Sequence, residues 1–397
     1  MRTSEKMIGG STSSRNSGLH VASLLQGPGA AGTAAELTQL QPRFDTAYRD
    51  FLYLLKLTDL DASIARQPHL TEALESALES ALEAAFSAST PDSDGAHLFV
   101  QRVLYRINRL KLFWYDELES YENERSNYLR SVRDRIESSW QCRELGKHDT
   151  PALRRLDVAE ALRERAAADV DPPLAENGRY FRDDAGEPAY RKLLEIASLD
   201  GLVEASQLSR TLGGVSNEVH AMLTRLLLEE YGCGRLARKH SSYFEVMLTE
   251  LGMDTAPEAY FDAVPWQVLA AINHSFLLSE RKRYFLRYIG GLLYTEISVP
   301  AGFSAYRACA ARLGFVESAM GYWDLHIKED ERHGRWMLND IALPLARQYP
   351  AHAWELVLGY DQQRLFSEHA GAGITAAARE ADYAAAMRRQ HVAGGYP

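Results

Sequence analysis

One segment of the chain carries three residues of metal-ligating type at helical spacing. In YWDLHIKEDERHGRWM (322–337), His326, Asp330 and His333 stand at positions i, i+4 and i+7. At 3.6 residues per turn these side chains fall within an arc of roughly 60°, so two imidazoles and a carboxylate point the same way. Such a set favours iron or manganese over structural zinc, although zinc also accepts these ligands. The alternative is a charged, solvent-exposed face, because residues such as Lys328 occupy the same turns.

A second segment, RLLLEEYGCGRLARKH (225–240), places Glu230 before a glycine-rich break and His240 ten residues later. A break of this kind lets the next helix turn back toward the same interior, so the two side chains could converge on one point. The alternative is an ordinary helix end at Gly232 followed by a surface histidine. The segment alone does not decide between them.

Two further acids stand in apolar surroundings: Glu204 in LDGLVEASQL (199–208) and Glu296 in YFLRYIGGLLYTEISVP (284–300). A glutamate among large apolar side chains lies either near a helix end in water or in the interior, where a cation or a metal ion must compensate its charge. The local sequence leaves both possibilities open.

Taken together, the motifs resemble the haem-oxygenase-like di-iron oxidases and oxygenases, often described as iron-containing redox enzymes. That family has a first glutamate, a Glu-Tyr-Gly-Gly-Gly turn with a histidine ten residues after its glutamate, a later glutamate, and a His-x3-Asp-x2-His helix. The chain fills these positions in order, and Glu204 precedes Glu230 by 26 residues, as in the family. The matching positions are Glu204, Glu230, His240, Glu296, His326, Asp330 and His333. The resemblance covers about residues 180–370.

This resemblance implies two Fe(II) ions, O2 as co-substrate, and an external electron donor or reductase as a candidate partner. The implied ligand sets are Glu230, His240 and His333 for one iron, and Glu204, Glu230 and His326 for the other, with Asp330 assisting. Glu296 is implied both as an extra ligand and as a catalytic carboxylate that can move onto a metal. Two positions depart from the family. Cys233 replaces the middle glycine of the turn, which predicts a negative φ there, and Ala205-Ser206-Gln207 replaces an Asp-Pro-His sequence.

The resemblance also implies an O2-dependent oxygenase. The extra N-terminal helical region resembles that of N-oxygenating members, which favours N-oxygenation of an amino-acid-derived amine or guanidine in specialised metabolism. Two alternatives stay open: oxidative C–C cleavage or desaturation of an amino acid or fatty acid, and a metal-free helical binding or scaffold protein. Arg281, Arg283 and Arg287 are expected to be surface charges rather than clamps for a substrate carboxylate.

Composition disfavours several other classes of protein. The net charge is -10, and no basic block is present that would bind nucleic acid. Three cysteines without a CxxC pair disfavour a disulfide framework or an iron–sulfur cluster. No apolar run reaches the roughly 20 residues that span a bilayer, and no signal-peptide pattern is present. We therefore expect a soluble cytoplasmic protein that acts on a small molecule.

The spacing of apolar residues predicts an all-α fold, with a haem-oxygenase-like bundle core and an additional N-terminal helical region. The absence of glycine and proline after Gly95 favours one long helix over residues 95–140. The predicted organisation is a disordered leader at 1–36, an N-terminal helical region that forms a homodimer at 37–145, a linker at 146–188, the di-iron domain at 189–370 and a flexible tail at 371–397.

Overall fold

Helices form the regular structure in the computed structural model, which describes residues 34–87, 93–113, 117–214 and 217–393. These described residues contain no strand, which confirms the predicted all-α fold. Residues 1–33 of the predicted leader lie outside the described residues. No helix in the described part of the chain is long and apolar enough to cross a membrane.

The helices fall into an N-terminal, a middle and a C-terminal group. The N-terminal group is α1 (Ala34–Leu55), α2 (Leu60–Arg66), α3 (Glu72–Phe86), α4 (Asp94–Arg109) and α5 (Asn127–Gly146). The middle group is α6 (Thr150–Leu153), α7 (Val158–Asp169) and α8 (Glu176–Arg179). The C-terminal group is α9 (Glu187–Gly201), α10 (Glu218–Glu230), α11 (His240–Glu250), α12 (Trp266–Glu280), α13 (Phe285–Arg312), α14 (Gly321–Trp336), α15 (Leu343–Gln348) and α16 (Trp354–Ala393).

The N-terminal helices share an apolar core with the C-terminal group. Phe51, Phe99 and Trp140 are buried in this core, which continues to Phe366 of α16. Trp140 packs edge-on against Phe366, with ring centroids 5.6 Å apart. Because the core is continuous, the N-terminal region supports the bundle instead of standing apart from it.

Polar contacts fix the N-terminal group against α12 and the loop before it. Asn273 of α12 donates from Nδ2 to the carbonyl of Gln101, at 2.9 Å. Glu258, in the preceding loop, accepts from Arg109 Nε at 2.5 Å and from the Tyr105 hydroxyl at 3.1 Å. Buried polar groups need such partners, so these bonds define how α4 sits on α12.

Residues 146–188 contain packed helices instead of the predicted linker. Leu162 of α7 is fully buried, and Arg165 of the same helix binds Asp361 of α16, with Nε 2.7 Å from Oδ1. Pro188, one of the prolines that suggested a linker, lies in the first turn of α9, and Pro151 lies in the first turn of α6. Proline is favoured there because the first turn does not use its missing N–H.

The predicted long helix over residues 95–140 is two helices. α4 ends at Arg109, and α5 begins after Ser126, whose side-chain oxygen accepts the N–H of Leu129 at 3.2 Å. Serine is a preferred residue at the N-terminal cap, because its oxygen satisfies an N–H that the helix leaves unpaired. The capping signal at Ser126 therefore outweighs the absence of glycine and proline.

Residues 371–393 of the predicted flexible tail are instead part of α16, which continues without interruption to Ala393. Ala378 in this stretch is fully buried. Gly373 sits where a β-carbon would lie 3.1 Å from Gln267 Oε1 of α12. Glycine here permits close packing of α16 on α12, so it does not mark the end of a helix.

Glycines let α13 approach both α16 and α14 closely. A β-carbon on Gly290 would lie 1.9 Å from the carbonyl oxygen of Leu356, and one on Gly359 would lie 1.9 Å from the carbonyl oxygen of Arg287. On α14, a β-carbon at Gly334 would lie 3.2 Å from the carbonyl oxygen of Glu296. These contacts place α13 between α14 and α16.

Candidate metal centre

The turn between α10 and α11 brings Glu230 and His240 together. Glu230 is the last residue of α10, and His240 is the first residue of α11. Between them Gly232, Cys233 and Gly234 have positive φ angles of 61°, 52° and 77°. This left-handed turn reverses the chain, so that His240 Nδ1 lies 2.9 Å from Glu230 Oε2.

The negative φ expected at Cys233 is wrong. A β-carbon on Gly232 would lie 2.5 Å from the carbonyl carbon of Arg238 and 2.6 Å from the nitrogen of Lys239, so the turn is packed directly on the returning chain. Such a tight reversal needs consecutive left-handed residues, and Cys233 adopts this conformation at a cost of about 1–3 kcal/mol. The packing of the turn, rather than the preference of cysteine, determines the backbone.

The ligand face predicted on α14 points into the protein. His326, Asp330 and His333 are 4%, 3% and 0% exposed, whereas Lys328 and Glu331 on the other side of the helix are exposed. The solvent-exposed alternative is therefore wrong. A buried carboxylate beside two buried imidazoles needs compensating charge or bonds from its surroundings.

The seven predicted ligands form two groups that share one residue. The first group is Glu204, Glu230, His240 and His326, and the second is Glu230, Glu296, Asp330 and His333. Within each group the candidate ligand atoms all lie within 4.8 Å of one another. Each group therefore resembles a cage for one cation, and the two cages meet at Glu230.

Short distances join the members of both groups. In the first group, His326 Nε2 lies 3.0 Å from Glu204 Oε1 and 3.2 Å from His240 Nδ1. In the second group, His333 Nδ1 lies 3.3 Å from Glu230 Oε1 and 3.4 Å from Glu296 Oε2. Nitrogen and carboxylate oxygen atoms converge in both places, and this donor set suits iron.

The grouping differs in part from the one that the resemblance implied. The implied partner of His240 was His333, but the structure places His240 with Glu204 and His326. Asp330 and Glu296 both belong to the group of His333. The turn after Glu230 explains the difference, because it directs His240 toward the Glu204 side of Glu230.

Tyr322 orients two members of the first group, and sequence reasoning missed it. Its carbonyl oxygen accepts from His326 Nδ1 at 2.8 Å, and its hydroxyl donates to Glu204 Oε1 at 3.0 Å. A carbonyl only accepts, so the hydrogen of His326 is on Nδ1 and Nε2 is left to face the group. Tyr322 stands four residues before His326, which is the signal that could have found it.

Glu229 orients His333 in the second group and was likewise missed. Its Oε2 lies 3.2 Å from His333 Nε2 and accepts from Arg332 at 2.5 Å. A hydrogen bond at Nε2 leaves His333 Nδ1 facing Glu230, as in the carboxylate–histidine–metal arrangements of metalloproteins. Glu229 also forms a candidate ligand set with Glu329 and His333, but Arg332 bonds to both glutamates and offsets part of their charge.

Buried polar atoms without a hydrogen bond show whether a metal ion would fit these groups. Asp330 Oδ1 and Glu204 Oε2 are buried polar atoms that have no hydrogen-bond partner among the described residues. Buried polar atoms are rarely left so, because each costs about 1–3 kcal/mol. The residues therefore fit two metal ions, which would bond to these atoms.

Comparison with known proteins agrees with this geometry. Residues 191–363 match the profile of a family described as iron-containing redox enzyme. Residues 191–363 belong to that family. Over 184 residues the chain is also 29% identical to a protein named nitrosourea synthase from Streptomyces achromogenes subsp. streptozoticus. That alignment covers 46% of this chain and 39% of the relative, so the chain spans well under half of the relative's length. The family predicted from the motifs is confirmed.

Burial and neighbouring charges shift the pKa values of several groups in the iron-containing redox enzyme domain. Burial raises the pKa of Glu230, but hydrogen bonds from His240 and His333 lower it below its usual range. Burial lowers the pKa of His326, yet the negative charge of Glu204 raises it to about 10. The pKa of His333 reaches about 11 against the effect of burial, because Glu230 bonds to it. The carboxylates thus favour positive charge in both groups, which a divalent cation also brings.

A cavity of about 220 Å³ opens beside both groups. Five of the candidate ligands line it: Glu204, Glu230, Glu296, His326 and Asp330. Its remaining wall is largely apolar, with Ile272 of α12 and Leu292 and Val299 of α13. Ligand sites for drug-sized molecules occupy roughly 300–1,000 Å³, so this cavity suits a smaller molecule.

The three arginines of residues 281–287 do not line the cavity. Arg281 binds Asp134 at 2.8 Å. Arg287, expected at the surface, is buried at 3% exposure and binds Glu355, with Nη2 2.6 Å from Oε2. A buried arginine needs such a partner, so Arg287 serves to join α13 to α16.

Proposed function

We propose that this protein is an O2-dependent, non-haem di-iron oxygenase that N-oxygenates an amino-acid-derived amine or guanidine in specialised metabolism. The pair of ligand groups that meet at Glu230 carries the proposal. Two ions that share one carboxylate lie close enough to act on the same molecule. The family match of residues 191–363 supports iron as the metal.

In this proposal each ligand group holds one iron. His240, His326 and Glu204 would hold the first ion, His333, Asp330 and Glu296 the second, and Glu230 would join them. Two ferrous ions bound there would supply the electrons that activate O2. An external electron donor or a reductase would restore them.

The chain's own residues prepare the site in three ways. Tyr322 and Glu229 fix which nitrogen of His326 and His333 faces the metal. The apolar wall of the cavity excludes bulk water, which strengthens every electrostatic interaction inside. Glu296 borders both the second group and the cavity, so we propose it as the catalytic carboxylate that changes its bonds when substrate is present.

The choice of nitrogen as the oxidised atom rests on the relative. A nitrosourea carries an oxidised nitrogen, so a protein named nitrosourea synthase supports chemistry at nitrogen over chemistry at carbon. We also propose that the protein is a cytoplasmic homodimer joined through its N-terminal helices, as expected from the sequence.

Iron loading tests the first half of the proposal. The purified chain is reconstituted with Fe(II) without oxygen, and we expect about two irons per chain and a visible absorbance change on admitting O2. Asp330→Asn should lose one of the two irons, because it removes a charged ligand from the second group. The control Glu331→Gln, on the exposed side of α14, should keep both. If the unaltered chain binds far fewer than two irons per chain and its absorbance does not respond to O2, the proposal is wrong.

Isotope labelling tests the second half. Amines and guanidines are incubated with the iron-loaded protein, a reductant and ¹⁸O2, and the masses of the products are determined by mass spectrometry. N-oxygenation adds labelled oxygen to nitrogen, desaturation removes two hydrogens without label, and C–C cleavage shortens the carbon skeleton. Either of the last two products would replace N-oxygenation by the alternative oxidase chemistry.

A further inference from the structure

The cavity beside the ligand groups has an uneven charge distribution. Its described lining contains no lysine and no arginine. Apart from the candidate ligands, Asp200 is the only charged residue on the wall. The wall also offers neutral polar groups, among them Ser275 of α12 and Gln363 of α16.

Asp200 stands on the wall of the cavity, near the first ligand group. It stands near the end of α9, four residues before Glu204, and no hydrogen bond or ion pair involves its side chain among the described residues. The side chain of Asp200 is exposed where it borders the cavity. The nearby charge of Glu204 repels this carboxylate, so a cation bound in the cavity would stabilise it.

We propose that Asp200 binds the cationic group of the substrate, an ammonium or a guanidinium. A cation there would pair with the unpartnered carboxylate and would lie next to the ligand group that contains Glu204. The same lining offers no cation for a substrate carboxylate, so amines and guanidines are bound in preference to fatty acids. This inference rests on the proposed function for the identity of the site, and it adds the residue that selects the substrate.

The aromatic residue beside Asp200 supports this assignment. Tyr288 is buried on α13. Burial, followed by the charges of Glu296 and Asp200, raises the pKa of its hydroxyl. It also lines the cavity. A cation held at Asp200 would therefore share one cavity with Tyr288 and with Glu296, the proposed catalytic carboxylate.

Binding measured without turnover tests the inference. The iron-loaded protein is titrated anaerobically, by calorimetry, with agmatine, which carries two cationic groups and no carboxylate, and with valerate, which carries only a carboxylate. We expect agmatine to bind and valerate not to bind. Asp200→Asn should weaken agmatine binding by roughly ten- to hundredfold, the value of a hydrogen bond to a charged group. The control Glu195→Gln removes the same charge from α9 outside the cavity lining and should leave binding unchanged.

Iron content and melting temperature of each variant separate the possible failures. If Asp200→Asn keeps its iron and its melting temperature but binds agmatine as tightly as the unaltered chain, the inference is wrong. Tighter binding of valerate than of agmatine would also overturn it. If the unaltered chain fails to load iron, the proposed function is wrong, but agmatine binding to the same protein still reports on Asp200.

Discussion

Gly232 offers a direct test of how the turn after α10 positions His240. An alanine there must keep φ near 61°, which costs roughly 1–2 kcal/mol for any residue with a β-carbon. The new carbon would lie 2.5 Å from the carbonyl carbon of Arg238. Nonbonded carbons prefer about 3.5–4.0 Å, so the backbone that leads to His240 must retreat by roughly 1 Å. Crowding of this kind adds about 1–3 kcal/mol, and Gly232→Ala should lower the free energy of unfolding by about 2–5 kcal/mol.

Gly234→Ala is the matched control. Gly234 also has a positive φ, of 77°, but nothing lies within 4 Å of the position that a β-carbon would take. The control should therefore lose only the roughly 1–2 kcal/mol of the backbone term. Urea unfolding of the metal-free chain, followed by circular dichroism, measures both changes. Metal ligands must stay within about 0.2 Å of their ideal distances, so Gly232→Ala should also lose iron from the first group, and Gly234→Ala should not. Equal destabilisation of the two variants, or full iron loading of Gly232→Ala, would show that the contact with Arg238 does not position His240.

Two further predictions concern His274 and Glu229. His274 of α12 is fully buried without a hydrogen-bond partner among the described residues, and burial, followed by the charge of Arg287, lowers its pKa to about 3. The pKa of His274 is lower in the folded than in the unfolded chain, so the free energy of unfolding falls as the pH falls. Between about pH 7.5 and 5.5 the unaltered chain should lose about 1.4 kcal/mol more of this free energy than His274→Phe. Urea unfolding measures both losses, and equal losses would contradict the prediction. Glu229→Ala should weaken iron binding by about 10- to 100-fold in chelator competition, because His333 loses its orienting partner. Glu218→Ala, on the exposed start of the same helix, should have no effect, and equal affinities in the two variants would exclude the orienting role.

The ligand face of α14 could be predicted because it depends on one short-range rule. His326, Asp330 and His333 share a face in any regular helix, and nothing outside the helix is needed to align them. Burial distinguished this face from a solvent-exposed one, and burial follows from the contacts of α14 with its neighbours. The sequence alone therefore supplied the alignment of the three ligands, and the fold supplied their direction.

The convergence of Glu230 and His240 required more than local rules. Cys233 in a left-handed conformation contradicts the ordinary preference of that residue, and only the packing of Gly232 on the chain near Arg238 accounts for it. Contacts between distant residues outweigh such preferences when they are tight enough. The family spacing predicted that both residues belong to the site, whereas the turn decided on which side of Glu230 His240 lies.

The same limit explains the errors around residues 146–188 and 371–393. Proline and glycine there suggested irregular chain, because each residue type disfavours the interior of an isolated helix. Pro188 instead starts α9, and Gly373 lets α16 lie close to Gln267 of α12. A single sequence shows the local cost of these residues but not the partner whose close approach compensates for it.

Pro300 shows how such a residue can shape the metal centre itself. It lies inside α13, and the helix continues through it. A proline has no N–H, so the carbonyl of Glu296, four residues earlier, lacks its helical partner. Gly334 of α14 lies against this carbonyl, where a β-carbon would be 3.2 Å away, and the absence of that carbon lets the two helices approach. This close approach of α13 and α14 brings Glu296 Oε2 to 3.4 Å from His333 Nδ1. Pro300 and Gly334, which have no metal-binding group, thus help to position two of the candidate ligands.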